Sequence, residues 1–315
     1  MGGDPGKAKR VAYQAAAIAA ALGLGWFLIS NTLANLEARH IASGFGFLRR
    51  EAGFEIGESF FLRYGAADSY LRALAVGLAN TLTVAAIGIV LATGLGTAIG
   101  LFRLSRNVLL RAISTAYVEF VRNVPLLVQL FFWYALITEA LPAAREALHP
   151  LPGVFLSNRG IYFPSLAGVP VLEGFNFAGG AVVTPEFAAL LMGLVTYTAG
   201  FIAEIVRAGI LSIVRGQWEA AQAIGLTRPQ ALRHVVLPQA LRVMVPPMTS
   251  QYLDLTKNSS LAVAIGYPDL VSIANTTINQ TGQAIEGIAI IMAVYLTISL
   301  AISALMNWYN ARVLR

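Results

Sequence analysis

The chain contains 315 residues, of which 57% are hydrophobic and 12% are charged. A water-soluble domain carries about 25% charged residues, so this composition excludes an ordinary soluble domain and indicates an integral membrane protein. The net charge of +6 requires no nucleic-acid partner, because Lys and Arg collect on the cytoplasmic side of membrane proteins, and the lack of Cys excludes disulfides and thiolate sites.

Catalytic chemistry has few candidate residues in this sequence. The three histidines, His40, His149 and His234, lie far apart, and no Gly-x4-Gly-Lys-Ser/Thr loop that could hold nucleotide phosphates is present. An enzyme would therefore depend on carboxylates, and those in the apolar segments lie beside Arg or Lys. We therefore predict no catalytic, cofactor or metal site in this chain. A membrane enzyme and a scaffold without transport activity are kept as alternative functions.

Apolar segments divide the chain into spans that are long enough to cross a bilayer, which takes about 20 residues. We predict about six transmembrane helices and an all-α polytopic membrane protein. The spans are predicted at residues 11–33, 73–102, 112–137, 186–211, 242–264 and 285–309. The first span is too long for the apolar part of a signal peptide, so we expect an uncleaved helix and keep a cleaved leader as the alternative.

The segments between the spans differ in composition. Residues 37–72 carry five basic and five acidic residues, and their clustered Phe residues predict a short interfacial helix. Residues 139–184 are rich in Pro and Gly, which predicts an external loop. We assign residues 1–72 to the first span with its external segment, and residues 73–315 to a core transmembrane domain. Small residues along the second span predict close packing against another helix.

The distribution of Lys and Arg predicts the orientation of the spans. Thirteen of the 22 lie in the N-terminal segment, residues 103–111, residues 207–242 and the C-terminus, and seven lie in the two long segments on the other side. Arg122 and Lys257 fall within spans. Positive charge collects in cytoplasmic loops, so both termini and residues 212–241 are predicted to be cytoplasmic. No internal repeat is visible, which gives an inverted-repeat secondary transporter no direct support.

The stretch from Arg215 to Pro247, which contains most of this cytoplasmic loop, is the longest interval that predicts two short amphipathic helices instead of a span. Gly225 permits a reversal between them, and Thr227 can cap the second helix, with Pro229 in its first turn. The apolar face is expected to consist of Trp218, Ala221, Ile224 and Leu226. Glu219 and the arginines of this loop would then face a partner, either another protein or an anionic lipid surface.

A motif in this loop carries a specific family resemblance. The sequence reads Glu219-Ala220-Ala221, then Gly225, Val235 and Leu237-Pro238. This spacing between two spans resembles the EAA loop of ABC importer permeases, although Ile is commoner than Val at position 235. In that family the loop is a coupling helix that docks on a cytoplasmic ATPase. The resemblance therefore implies ATPase-coupling roles for Glu219, Ala220, Ala221, Gly225, Leu237 and Pro238.

The resemblance extends over about residues 30–310. Three further segments are similar to the polar amino-acid permeases, and two more look like the general L-amino-acid branch of that group. They are residues 119–129, 196–210 and 254–261 for the former, and residues 31–58 and 275–286 for the latter. The first segment has Val124 where the family usually has Thr before the Pro.

The resemblance implies the fold, partners and transport mode of a type I ABC importer permease. The chain would move polar L-amino acids into the cytoplasm across a bacterial inner membrane by alternating access. A dimeric cytoplasmic ATPase would hold the ATP and Mg²⁺, and an extracytoplasmic binding protein would deliver the substrate. A second permease subunit would complete the path, with a heterodimer favoured over a homodimer. A secondary transporter driven by an ion gradient is the alternative mechanism.

Charged residues within the predicted spans need a partner or a role, because a charge near the bilayer centre costs about 2.5–3.5 kcal/mol. Glu119 and Arg122 are three residues apart, as are Glu204 and Arg207, so each pair predicts either a local ion pair or a contact with substrate. Lys257 could snorkel to the outer interface or bind the carboxylate of an amino acid. Our candidates for the substrate path are Lys257, Asn258, Ser259, Ser260, Glu204 and Arg122.

Two further features have an ordinary structural explanation. Pro246 and Pro247 predict a kink where the fifth span begins, with a gating hinge as the alternative. Trp133 and Tyr134 close the third span, where aromatic side chains are typical interface anchors rather than ligand contacts.

Overall fold

A computed structural model describes residues 5–38, 43–59, 61–165 and 168–313, and these residues are mostly helical. The α-helices are α1 (Pro5–Ala38), α2 (Tyr70–Phe102), α3 (Val108–Asn123), α4 (Leu126–Ala140), α5 (Pro185–Leu211), α6 (Arg215–Ala223), α7 (Arg228–Ala231), α8 (Leu237–Asn258), α9 (Leu270–Thr281) and α10 (Ala284–Val313). Shorter helical segments are the 3₁₀ helices Phe45–Arg49, Ala144–Glu146 and Ser259–Ile265, and the π-helical turn Leu232–Val236.

Four helices are each long and apolar enough to cross a membrane, namely α1, α2, α5 and α10. Two bent groups pass the same test together: α3 with α4, and the stretch from α7 to residue 265 with α9. The number of candidate spans among the described residues is therefore four, or up to six if each bent group is one span.

The predicted third span is not one straight helix, because α3 and α4 meet at an angle of 106°. The break lies at Val124, whose backbone is extended (φ −93°, ψ 126°). Pro125 explains this geometry, since a proline disfavours the helical conformation of the residue before it. The Gln129 side chain donates hydrogen bonds to the carbonyls of Val121 (2.8 Å) and Val124 (3.0 Å), which satisfies backbone groups that the break leaves free.

The helical stretch that contains the predicted fifth span, residues 242–264, begins earlier, at Arg228. Helix α8 continues through Pro246 and Pro247, so these prolines do not interrupt it. The bend of 52° lies further along, between residue 265 and α9. Gly266 ends the preceding 3₁₀ helix in the left-handed conformation (φ 81°), and the Asp269 carboxylate caps α9 by accepting a hydrogen bond from the Ser272 N–H at 2.8 Å.

Six short strands make the expectation of an all-α protein wrong for the predicted external loop. The strands are β1 (Leu148–Leu151), β2 (Val154–Ser157), β3 (Gly160–Phe163), β4 (Val171–Glu173), β5 (Asn176–Ala178) and β6 (Ala181–Val183). An antiparallel sheet has the order β1-β2-β3-β6, with Phe155 opposite Tyr162, and β4 pairs with β5. The ring of Phe177 lies 4.5 Å from that of Phe155 and 4.9 Å from that of Tyr162, so aromatic packing joins the two sheets.

Helix α2 packs closely against α5, as its small residues predict. A Cβ atom added to Gly96 would lie 2.7 Å from the Ile202 Cβ, and one added to Gly100 would lie 2.7 Å from the Ala203 carbonyl oxygen. Such spacing is too short for real side chains, so glycine is required at both positions for this approach. Helix α5 also contacts α3, α4 and α8, and it supplies much of the buried core.

The segment before α2 packs against the bundle, in contrast to the interfacial helix expected there. Phe47 is only 2% exposed and belongs to a hydrophobic cluster with residues of α2 and α9. Asn80 of α2 donates hydrogen bonds from its side-chain nitrogen to the carbonyls of Glu58 and Pro268, both at 2.9 Å. The clustered residue Phe60 lies outside the described residues.

Helices α1 and α10 leave their apolar side chains uncovered in the isolated chain, since none of the residues in their most apolar windows is buried. Trp26 and Phe27 are examples on α1, and Met292 and Leu296 on α10. Lipid or another subunit must cover such surfaces.

Burial of Glu58 predicts a pH-dependent stability for the segment before α2. The carboxylate is 8% exposed, and neither of its oxygens has a hydrogen-bond partner among the described residues. Burial together with the charge of Glu186 raises its pKa to about 8. Because the folded state holds this proton more tightly than the unfolded state, the group lowers stability as pH rises from 4.5 towards about 8. We predict that Glu58→Gln removes part of the fall in thermal stability across this range.

Thermal unfolding of the purified chain in detergent at a series of pH values measures this effect. Glu51→Gln is the matched control, because Glu51 is an exposed carboxylate of the same segment. If Glu58→Gln and Glu51→Gln follow the same pH profile as the wild type, Glu58 does not carry the buried proton.

Candidate functional site

The predicted loop does form two short helices joined by a tight reversal. Helix α6 ends at Ala223, and Gly225 follows with a positive φ of 85°. A left-handed residue at this position favours glycine, because a Cβ atom would strain the backbone. A Cβ atom added to Gly225 would meet nothing within 4 Å, so the requirement comes from backbone conformation alone.

The second helix of the loop continues into the next span. Thr227 begins it, and the Gln230 side-chain oxygen accepts hydrogen bonds from the Thr227 N–H and hydroxyl, both at 2.8 Å. Helix α7 passes without a break into the π-helical turn Leu232–Val236 and then into α8. We call residues 212–241 the coupling loop, and its C-terminal half is therefore the first part of the helix that contains α8.

Most of the residues predicted to couple to an ATPase lie on the surface of this loop. Glu219, Ala220 and Gly225 are exposed, as is Pro238, and Leu237 is 37% exposed. Ala221 is the exception, since it is buried and faces the rest of the chain. The Glu219 carboxylate accepts a hydrogen bond from the Arg215 Nε at 2.9 Å, and both side chains are exposed.

The apolar face of α6 differs in one position from the expected one. Trp218 is half-buried beneath the Arg228 guanidinium, which lies 5.9 Å from its ring centroid, and Ala221 is buried beside it. Ile224, however, is 77% exposed. It follows the last residue of α6 and has a non-helical backbone (φ −90°, ψ 12°), so it leaves the helical register that would turn it inward.

Glu204 lies at the centre of an ion cluster near the end of α5 that carries the coupling loop. Its carboxylate accepts hydrogen bonds from Arg207 at 3.0 and 2.5 Å, as one alternative from the sequence predicts. A second guanidinium, that of Arg103 at the end of α2, also donates to Glu204. The sequence did not identify Arg103, because nothing in a single chain indicates which charge across the fold meets an intramembrane carboxylate.

Arg122 does not pair with Glu119, so the local ion pair predicted for these residues is wrong. The Arg122 guanidinium instead lies over the Phe201 ring of α5, 5.0 Å from its centroid. Neither Arg122 nor Glu119 makes an ion pair in the part of the chain that the structure describes. The bend at Val124 begins two residues after Arg122.

A cavity of about 520 Å³ brings two predicted path residues together between α3, α5 and α8. Arg122 and Glu204 line one side of it, and Pro247, Ser250 and Gln251 of α8 line the other. The cavity therefore combines a guanidinium that makes no ion pair within the described ranges, a carboxylate held by two guanidiniums, and polar groups beside the double proline.

The Lys257 group lies apart from this cavity. Lys257 is ten residues beyond Pro247, or about 15 Å along the helix axis, and does not line the cavity. Lys257 and Asp254 are exposed, whereas Ser259 is buried. The Ser259 hydroxyl donates to the Thr256 carbonyl at 2.8 Å and the Ser260 hydroxyl to the Lys257 carbonyl at 2.7 Å, so both donor hydrogens already serve the local backbone.

Within the described ranges, no group of three or more His, Cys, Asp or Glu side chains is placed to hold a metal ion. The Tyr134 hydroxyl donates to Glu186 at the start of α5, 3.2 Å away, so at least one of the predicted interface aromatics also holds the bundle together.

Comparison with known proteins connects this arrangement to transport. Residues 85–315 match the family described as "Binding-protein-dependent transport system inner membrane component". The chain is 46% identical to the "Putative amino-acid ABC transporter permease protein YhdX" of Escherichia coli strain K12, over 96% of this chain and 93% of that protein. It is 42% identical to the "General L-amino acid transport system permease protein AapQ" of Rhizobium johnstonii, over 98% and 93%.

A solved structure supports the same assignment at the level of the fold. The "Crystal structure of an amino acid ABC transporter with histidines" superposes with a TM-score of 0.57 at 26% identity, over 77% of this chain and 95% of that one. The polar cavity and the coupling loop are thus built on a backbone shared with importer permeases. The chain belongs to the family of binding-protein-dependent transport system inner membrane components.

Proposed function

We propose that this chain is the permease subunit of an ATP-driven importer that moves polar L-amino acids into the cytoplasm by alternating access. The observation that carries the proposal is the continuous helix that joins the coupling loop to α8. The amino-acid substrates named for its relatives YhdX and AapQ support the substrate class. A transporter driven by an ion gradient receives no support from these relatives.

The proposed topology has six spans, with each bent group counted as one. Both termini and the coupling loop lie in the cytoplasm, as the excess of Lys and Arg in those segments predicts. The two small β-sheets and residues 43–69 then lie on the outer side, where the binding protein would deliver its amino acid.

Partner subunits would complete the transporter. A dimeric ATPase would hold the ATP and Mg²⁺ and would contact the exposed residues of the coupling loop. A second permease subunit would enclose the path, and the resemblance to the general L-amino-acid branch favours a heterodimer. The uncovered apolar surfaces of α1 and α10 give room for such a subunit as well as for lipid.

Motion of the ATPase would be transmitted through the coupling loop to α8. The ATPase would meet Glu219, Gly225 and the exposed Ile224 on the loop. Because the helix continues from Arg228 through the π-helical turn to Asn258, displacement of the loop would tilt α8 as a rod. Pro247 belongs to α8 and lines the polar cavity, so the same tilt would change the shape of that cavity.

Substrate contact would depend most strongly on Arg122. Its guanidinium lies over Phe201 without an ion pair in the described chain, beside the polar cavity. A carboxylate is the natural partner of such a group. Glu204 is already neutralised by Arg103 and Arg207, and Lys257 would contact the substrate at another stage, nearer the outer end of α8.

Uptake of a radiolabelled polar amino acid into proteoliposomes tests the proposed function. The vesicles would contain this chain with its companion permease and its ATPase, and binding protein would be added on the outer side. We expect uptake to require ATP and binding protein and to survive dissipation of Na⁺ and H⁺ gradients. Uptake that an ion gradient alone sustains would refute the proposal.

The coupling role of the loop gives a prediction with a closely matched control. Gly225→Ala forces an L residue into a left-handed conformation, at a cost of about 1–2 kcal/mol, and should reduce ATP-coupled uptake. Gly216→Ala changes the same atoms at an exposed position inside α6, where a Cβ atom likewise meets nothing within 4 Å, and should leave uptake intact. The reconstituted assay compares the two at equal amounts of inserted protein. Equal uptake by both variants would show that the reversal is not required for coupling.

The proposed role of Arg122 predicts a loss of apparent substrate affinity. Arg122→Gln removes a charge-assisted hydrogen bond to the substrate carboxylate, so the KM for uptake should rise about tenfold or more. Arg111→Gln is the control, because it makes the same change at an exposed position of the same helix. Comparable KM values for Arg122→Gln and Arg111→Gln would remove Arg122 from the substrate path.

A further inference from the structure

A second cavity, distinct from the polar one, lies beneath the coupling loop. It has a volume of about 810 Å³ and is lined by the ends of α2 and α5 and by both loop helices. Its lining is apolar apart from Ser212 and two arginines, Arg215 and Arg228. An apolar chamber with two guanidiniums at its loop side differs in chemistry from a site for a free amino acid.

This chamber continues into the transmembrane part of the chain. A neighbouring cavity of about 520 Å³ between α2, α5, α8 and α10 shares Leu101, Ile210 and Leu232 with it. The far part of this neighbouring cavity reaches Met306 and Tyr309 of α10. The shared residues place the two cavities side by side, and together, as the crevice, they extend from the coupling loop to α10, whose apolar side chains are uncovered.

Both arginines at the head of the crevice are available to an anion. The Arg215 side chain is 91% exposed, and its single ion pair, with the exposed Glu219, is of the i, i+4 surface type that contributes little stability. The Arg228 guanidinium lies 5.9 Å from the Trp218 ring centroid and makes no ion pair in the part of the chain that the structure describes. Glu219 is the sole acidic residue of the coupling loop, so the local charge favours an anionic ligand.

We propose that this crevice binds an anionic phospholipid, with its phosphate at Arg215 and Arg228 and an acyl chain between α2, α8 and α10. Charge complementarity selects the headgroup, because guanidiniums hydrogen-bond phosphate oxygens in a fixed geometry. Continuity with an uncovered transmembrane surface selects a lipid over a soluble partner, since a soluble protein cannot follow the crevice into the bilayer. A lipid at this place would contact α2, α5 and both loop helices at once.

Quenching of Trp218 fluorescence by brominated lipid tests the site directly. The chain has four Trp residues, and replacement of Trp26, Trp133 and Trp308 by Phe leaves Trp218, which lines the crevice. This variant is reconstituted in phosphatidylcholine vesicles that contain increasing fractions of dibrominated phosphatidylglycerol or of dibrominated phosphatidylcholine. We expect saturable quenching at a lower fraction of the anionic lipid.

Two pairs of substitutions distinguish a defined site from diffuse attraction to a charged bilayer. Arg215→Gln with Arg228→Gln should lower the preference for phosphatidylglycerol about fivefold for each charge removed, and Arg228→Lys should retain most of it. Arg106→Gln with Arg111→Gln removes the same charge from exposed positions outside the crevice and should retain the preference. Equal quenching by both lipids, or an equal loss in the two double variants, would overturn the proposal.

The acyl chain has its own test in the same assay. Leu232→Phe enlarges a side chain at the junction of the two cavities while both arginines remain. We expect weaker quenching of Trp218 by dibrominated phosphatidylglycerol, with unchanged circular dichroism. Unchanged quenching in a folded Leu232→Phe variant would exclude the crevice as the position of the acyl chain.

Discussion

The close contact between α2 and α5 is the constraint on which the rest of the bundle depends. Gly96 and Gly100 allow the two backbones to approach, because a side chain at either position would overlap α5. The ion cluster of Glu204 with Arg103 and Arg207 then joins the same two helices near the coupling loop. With one side fixed in this way, α5 packs its remaining sides on α3, α4 and α8. The coupling loop therefore begins at the end of an anchored helix.

The two ends of the coupling loop join the neighbouring helices differently, one through a break in the helix and the other through continuous helix. At its start, α5 ends at Leu211, and the loop helix α6 begins only at Arg215. At its end, no such interruption separates α7 from α8, because the π-helical turn keeps the backbone helical. A displacement of α7 would therefore pass along a continuous helix into α8, whereas the break before α6 separates the loop from α5. Under the proposed function, α5 is the fixed element and α8 the moving one.

The sequence predicts features that local chemistry determines and misses those that depend on distant contacts. The position of Gly225, the cap at Thr227 and the small residues of α2 all follow from backbone conformation or side-chain size, and the structure confirms them. The pairing of Arg103 with Glu204 joins residues a hundred positions apart, so spacing cannot reveal it. The six strands escape prediction because each has only three or four residues, too few for alternation to stand out among Pro and Gly.

The break before Pro125 explains how one strong charge, that of Arg122, stays available beside the cavity between α3, α5 and α8. The carbonyls freed by the break accept hydrogen bonds from Gln129, so they do not compete for Arg122, whose guanidinium lies over the Phe201 ring. Glu204, on the same cavity, is committed to two guanidiniums. For an amino acid in this cavity, the Arg122 guanidinium would therefore be available to bind the carboxylate. Glu204, the acidic group that could bind the ammonium, is already paired with two guanidiniums. Because every L-amino acid carries the carboxylate, recognition of this kind admits a class of substrates, and selection among them must depend on contacts elsewhere in the importer.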